Sequence, residues 1–125
     1  MAKILVVDDD LSTQVALTGM LESAGHEVLA VSDGAQVKGS MEDFAPDVLI
    51  TDILMPDKEG LETIQDVRAA HPALPIIAIT GGGDAAGGYA DYLLSCARDF
   101  GATGALRKPV DMALLLAVVD TALEA

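Results

Sequence analysis

The sequence predicts an α/β domain built on a five-stranded parallel sheet with helices on both faces. Two observations predict it. Apolar runs and amphipathic stretches alternate five times over 125 residues. Three of the apolar runs, ILVV, VLI and IIAI, are continuous and rich in β-branched residues, as strands buried on both faces read.

Strands are expected at Lys3–Val7, Glu27–Val31, Asp47–Thr51, Pro75–Thr80 and Thr103–Arg107. Between the first two, Thr13, Ala16, Leu17, Met20, Leu21 and Ala24 recur at helical spacing, Asp10 stands where an N-cap belongs, and Gly25 stops the helix as a C′ residue. The second helix, about 34–44, is the weakest, because Gly34 and Gly39 lower its propensity and Pro46 follows. The third, 59–70, sets Leu61, Ile64 and Val67 on one face and ends before Pro72. The fourth lies within 84–100, where Tyr89, Leu93 and Ala97 share one stripe and Tyr92, Cys96 and Phe100 another. The fifth follows Pro109, a residue suited to a first turn. Right-handed crossovers between such units give the flavodoxin-like strand order 2-1-3-4-5, and in that order a site forms at the carboxyl ends of the strands.

Composition narrows the function. The length fits one domain, 1–125, and the hydrophobic fraction of 51% suffices for a core without disulfides. The single cysteine, Cys96, has no internal partner, which fits a reducing, cytoplasmic setting; Cys96 itself reads as core. No apolar run approaches the roughly 18 residues that span a bilayer. With 20 acidic against 7 basic residues the formal charge is -13, which argues against direct contact with nucleic acid or an anionic membrane. Aromatic residues at 3% make base-stacking platforms improbable on composition alone. His26 and His71 lack ligand spacing and read as surface or turn residues, and Met20, Met41, Met55 and Met112 as core fillers.

The strand ends carry the chemistry: Asp8, Asp9 and Asp10 after the first strand, Asp52 after the third, Thr80 after the fourth, Lys108 and Pro109 after the fifth. In a parallel sheet these converge on one edge. Carboxylates gathered there must raise their pKa values or share a cation, and Mg²⁺ takes one or two carboxylates together with water and phosphate oxygens. A lysine and a hydroxyl facing that cluster are what a transferred phosphoryl group requires.

Four segments, VVDDD (6–10), DVLITDILMPDKEG (47–60), IIAITGG (76–82) and LRKPV (106–110), resemble the signature regions of response-regulator receiver domains. The resemblance implies that Asp52 is the phosphoacceptor of a two-component system. Asp8, Asp9, Asp52 and the backbone carbonyl of Leu54 would then serve a Mg²⁺ ion. Thr80 and Lys108 would meet the phosphoryl oxygens, and the bond between Lys108 and Pro109 would be cis. The implied partners are a sensor histidine kinase or histidine phosphotransfer protein and a downstream protein target. The module would catalyse only its own phosphoryl transfer and autodephosphorylation. The chain is read as a stand-alone receiver. The surplus aliphatics of the last helix (Leu114, Leu115, Leu116, Val118, Val119 and Leu123) mark the fourth and fifth helices as a surface for a partner or a second copy.

Two departures from the family pattern stand out. Ala105 occupies the position, three before the lysine, where receivers carry a switching aromatic ring. The segment between Thr80 and Lys108 is longer than usual, with glycines at 81, 82, 83, 87 and 88. Ordering of this loop on phosphate capture is the expectation that replaces the aromatic switch. Three rival readings each draw on part of the sequence. A receiver-like docking module that works without phosphate draws on Ala105. A haloacid-dehalogenase-like phosphatase using Asp8 lacks the late acidic pair, since only glycines and Asp84 follow the fourth strand. An FMN binder would meet repulsion from three aspartates where phosphate must sit.

Overall fold

The computed structural model describes residues 2–53, 60–81 and 89–124, with only the backbone described at 60, 89–91, 93 and 94. Strands β1 (Lys3–Val7), β2 (Glu27–Val31), β3 (Val48–Asp52), β4 (Ile76–Thr80) and β5 (Gly104–Arg107) form one sheet in the order β2-β1-β3-β4-β5. Every pairing is parallel. The helices are α1 (Leu11–Ser23), α2 (Val37–Phe44), α3 (Gly60–Ala70), α4 (Tyr89–Asp99) and α5 (Met112–Glu124), with a 3₁₀ turn at Gly34–Gln36 before α2.

The period-2 alternation of the strands divides the core in two. Leu5, Val7, Leu49, Ile76 and Ala78 face α2, α3 and α4, meeting Val37, Met41, Ile64, Val67 and Ala97. Ile4, Val6, Val48, Ile50, Ile77 and Ile79 face α1 and α5, meeting Leu17, Leu21, Leu115 and Val119. Each fully buried aliphatic side chain contributes about 1.5–3 kcal/mol of transfer free energy. β3 and β4 are buried along their whole length, whereas the edge strand β2 is only half-buried.

Local chemistry sets the ends of α1. The Asp10 side chain accepts from the Ser12 backbone N–H, which caps the N-terminus. At the other end Gly25 takes φ +91, and bonds from the N–H groups of Gly25 and His26 to the carbonyls of Glu22 and Leu21 close a Schellman turn.

The expected elements all appear, with shifts of a residue or a few. Asp47, Pro75 and Thr103 stand just outside their strands. Pro75 has no N–H for the ladder. Asp47 turns its carboxylate back to the Lys3 N–H, and the Thr103 hydroxyl takes the Ile76 N–H. Asp52, expected to follow β3, is its last residue. The part of the fourth helix expected at 84–88 lies outside the described residues.

Some side-chain expectations are corrected. Ala16 and Ala24 are exposed, because α1 turns Gln14, Leu17 and Leu21 to the sheet instead. Cys96 is half-buried rather than core, since Ala97 takes the inward position on α4. Tyr92 on that helix and Phe100 just past its end are exposed. Met112 is exposed at the start of α5 and fills nothing, whereas Met41 is buried; Met55 lies outside the described residues. His26 is a turn residue as expected, its Nδ1 accepting from the Ala2 N–H at 3.1 Å.

Candidate functional site

Parallel strands bring their carboxyl ends to one edge, and on that edge the structure gathers Asp8, Asp9, Asp52 and Lys108. One carboxylate oxygen from each of the three aspartates lies within 4.8 Å of the others. Asp8 and Asp52 are buried at the ends of the two central strands, while Asp9 is exposed. Lys108 reaches in from the end of β5: its Nζ lies 2.8 Å from Asp8 Oδ2 and donates to Asp52 Oδ2 at 3.0 Å. The Lys108 N–H bonds to the carbonyl of Thr80 at 2.8 Å, which holds the end of β5 beside the end of β4; the bond to Pro109 is cis, as the resemblance implies.

Thr80 ends β4 fully buried, and its hydroxyl has no hydrogen-bond partner among the described residues. A buried hydroxyl left unpaired costs about 1–3 kcal/mol, so its presence on the acidic edge points to a ligand oxygen that would accept from it. The charge on Asp8 Oδ2 is balanced by the Lys108 ammonium 2.8 Å away. Asp10 belongs to the helix: its carboxylate accepts from Ser12 and, at 2.8 Å, from the Thr13 hydroxyl. Bonds from Thr13 and then Ser12 hold the Asp10 carboxyl below the usual carboxylate range.

The site is electrostatically tense. Burial pushes the Asp8 carboxyl above its ordinary value, and the charge of Asp52 adds to this, while Lys108 and the Asp10 N–H pull the other way. For Lys108 burial favours the neutral amine, but hydrogen bonds and charge from Asp8 and Asp52 together outweigh it, and its pKa is raised. The ammonium therefore stays charged and stands between two carboxylates that would otherwise repel.

Hard oxygen ligands in this number suit a small divalent cation that keeps several waters, and the exposed Asp9 leaves such waters a path to solvent. The donor set thus fits Mg²⁺. Leu54 lies outside the described residues. Ala105, paired with Ala78 across β4 and β5, is half-buried, so no ring stands at that point of the edge strand. Sequence reasoning missed Gln14. It is buried on α1, and its Nε2 donates to the Asp8 carbonyl at 2.6 Å. The signal was available, as Gln14 is the polar residue three before Leu17 on the inward stripe.

A doubly wound sheet with an acid cluster, a lysine and a buried hydroxyl on its carboxyl edge defines a signal-receiver class of α/β domain. Comparison with known proteins agrees: the chain belongs to the response regulator receiver domain family, whose model matches residues 4–120. It is 33% identical over 120 residues to the DNA-binding transcriptional regulator NtrC of Escherichia coli, covering 96% of this chain and 24% of that protein. It is 36% identical over 109 residues to the transcriptional regulatory protein CpxR of the same species, covering 87% of this chain and 44% of that one. The chain therefore spans less than half the length of either. Among solved structures, the receiver domain of NtrX from Brucella abortus superposes with a TM-score of 0.88 at 29% identity, covering 98% of each chain. A receiver domain protein from Clostridium thermocellum superposes at 0.85 with 32% identity, covering 99% of this chain and 95% of that one. The family is one of two-component signalling modules that work with histidine kinases. Among the described residues no helix is long and apolar enough to cross a membrane.

Proposed function

We propose that Asp52 accepts a phosphoryl group from a phosphohistidine on a sensor histidine kinase or histidine phosphotransfer protein. The observation that carries this reading is the Lys108 ammonium held between the Asp8 and Asp52 carboxylates on the edge where the Thr80 hydroxyl is buried without a partner among the described residues. A carboxylate oxygen of Asp52 attacks phosphorus in line, the bond from phosphorus to the donor imidazole nitrogen breaks, and the imidazole leaves with the electron pair. Lys108 balances charge on the transferring oxygens, and Thr80 donates its hydroxyl to one of them.

Asp8, Asp9 and Asp52 would hold Mg²⁺ through carboxylate oxygens or through water, with the Leu54 carbonyl as a further ligand. When bound, the ion supplies neutralising charge beside the phosphoryl oxygens. The chain's own part is positioning: carboxylates fixed at strand ends, an ammonium and a hydroxyl aimed at one small volume. Attack of water on the phosphorus later releases inorganic phosphate and restores the Asp52 carboxylate, so the module catalyses only its own phosphorylation and its reversal.

With Ala105 in place of a ring, capture of a phosphoryl oxygen by Thr80 acts through the glycine-rich loop that follows, residues 81–88, and through α4 to a downstream protein target. Of that loop, 82–88 lie outside the described residues. The exposed Met112, Leu114 and Leu123 of α5 and Tyr92 of α4 support a partner or a second copy on that side. A cytoplasmic setting and the absence of direct nucleic-acid contact remain parts of the proposal. The second of these rests on the charge of this segment alone, because NtrC is named a DNA-binding regulator. Incubation with a small acyl phosphate, with and without Mg²⁺, tests the reading by intact mass. One added phosphoryl group that depends on Mg²⁺ is expected; turnover of a phosphate ester without stable labelling would favour phosphatase chemistry instead.

A further inference from the structure

The loop between β1 and α1 has to hold two adjacent carboxylates toward a third, against their mutual repulsion. Asp8 is fixed at three points, two of them on its backbone. Its N–H bonds to the Val31 carbonyl at 3.1 Å, where β2 ends. Its Oδ1 accepts from the Asp10 N–H at 2.9 Å, closing an Asx turn. Its carbonyl, buried where β1 leaves the sheet, accepts from Gln14 Nε2 at 2.6 Å. The same amide reaches the Val31 carbonyl at 3.3 Å and the Ser32 hydroxyl at 3.4 Å. Ser32 is in turn held by its N–H to Gln36 Oε1 at 2.8 Å. One buried side chain of α1 therefore ties together the carboxyl ends of β1 and β2 directly behind the acidic pair.

We infer that Gln14 is a positioning residue for the cation site: its amide fixes the Asp8 peptide so that the carboxylates of Asp8 and Asp9 face Asp52. The inference rests on the reading of these aspartates as cation ligands. Among the described residues no backbone N–H bonds to this carbonyl, and without the amide it must turn to find water. Turning the Asp8 peptide rotates the backbone from which both carboxylates project. Groups that orient metal ligands typically change affinity by about 10–100-fold when removed. Gln14 needs to touch neither the cation nor the phosphoryl group to have this effect. A packing residue at the same place would only lower stability.

Two variants remove the donor differently. Gln14→Met keeps the length and loses the amide, and Gln14→Asn keeps the amide and loses the reach. Leu17→Ala, a buried apolar truncation one turn along the same face, is the packing control. Mg²⁺ affinity by titration calorimetry and urea unfolding midpoints are measured on the full chain. Both Gln14 variants are expected to weaken Mg²⁺ binding by about 10-fold or more. Leu17→Ala should lower the unfolding midpoint and leave the affinity of the folded protein unchanged. Wild-type affinity in both Gln14 variants, or equal weakening in Leu17→Ala, overturns the inference while the cation site stands. Failure of the wild-type chain to bind Mg²⁺ overturns the site reading and this inference with it.

Discussion

Lys108 donates from Nζ to Oδ2 of Asp52 at 3.0 Å across 56 positions of sequence, joining the end of β5 to the end of β3. In the resting protein the ammonium does what a cation and a phosphoryl group would later share: it offsets buried negative charge. Replacing Lys108 by alanine leaves two buried carboxylates facing each other. A fully buried pair broken in this way costs about 3–5 kcal/mol, and the partial exposure of Lys108 reduces that to about 1–3 kcal/mol. Urea unfolding of the apo variant measures the loss. The same change should leave Mg²⁺ affinity at or above wild type, because a competing cation has gone, while phosphorylation slows.

Burial of Asp8 carries a cost. Its native pKa is raised above 3.8, chiefly by burial and further by Asp52. The native state then binds the proton more tightly than the unfolded chain. Its destabilising contribution is absent below the unfolded value, grows as pH rises through the window up to the raised native value, and is complete above it. Asp8→Asn should therefore raise the thermal midpoint of the apo protein at neutral pH, with the advantage shrinking as pH falls toward 3.8. Thermal melts from neutral to acidic pH check this; an advantage independent of pH would exclude the linkage.

Arg68 binds the ends of two helices. Its guanidinium donates to the Gly101 carbonyl at 3.1 and 2.6 Å, and to the carbonyls of His71 and Pro72 at 3.1 and 2.9 Å. Gly101 sits at φ +117, and a Cβ there would lie 2.9 Å from the Arg68 side chain. Arg68→Ala should cost about 0.5–1.5 kcal/mol, the net worth of the bonds lost to the part-buried Gly101 carbonyl, and Gly101→Ala at least about 1 kcal/mol from its backbone alone. Because the two residues touch, the double variant should cost less than the sum. Chemical denaturation of the three proteins measures all of this.

Thr80→Ala should accept phosphate on Asp52 yet fail to pass the signal on. Amide exchange over residues 81–92, with and without a phosphoryl mimic, should slow in the wild type and stay unchanged in the variant. Unchanged exchange in the wild type would remove the loop from the account.

The sheet order was legible because buried parallel strands have a crude signature: ILVV, VLI and IIAI need no partner information to be recognised. The convergence of Asp8, Asp52, Thr80 and Lys108 was legible too, since residues at the carboxyl ends of parallel strands are brought to one edge. The faces of the helices were less legible. On α1 the apolar count favoured Ala16 and Ala24, but Ala is indifferent to burial, and the sheet took Gln14 because strand ends leave carbonyls that an amide satisfies. Leu11 and Val15 are exposed on the same helix despite their hydrophobicity. The half-burial of β2 agrees with its omission from the runs read as buried on both faces, as an edge strand receives cover from fewer neighbours.

The most direct test of Asp52 as phosphoacceptor is peptide mapping after treatment with an acyl phosphate and Mg²⁺. The account predicts a single labile modification on the peptide containing residue 52, lost in Asp52→Asn while that variant stays folded. Modification of Asp8 instead, or persistent labelling of Asp52→Asn, would contradict it.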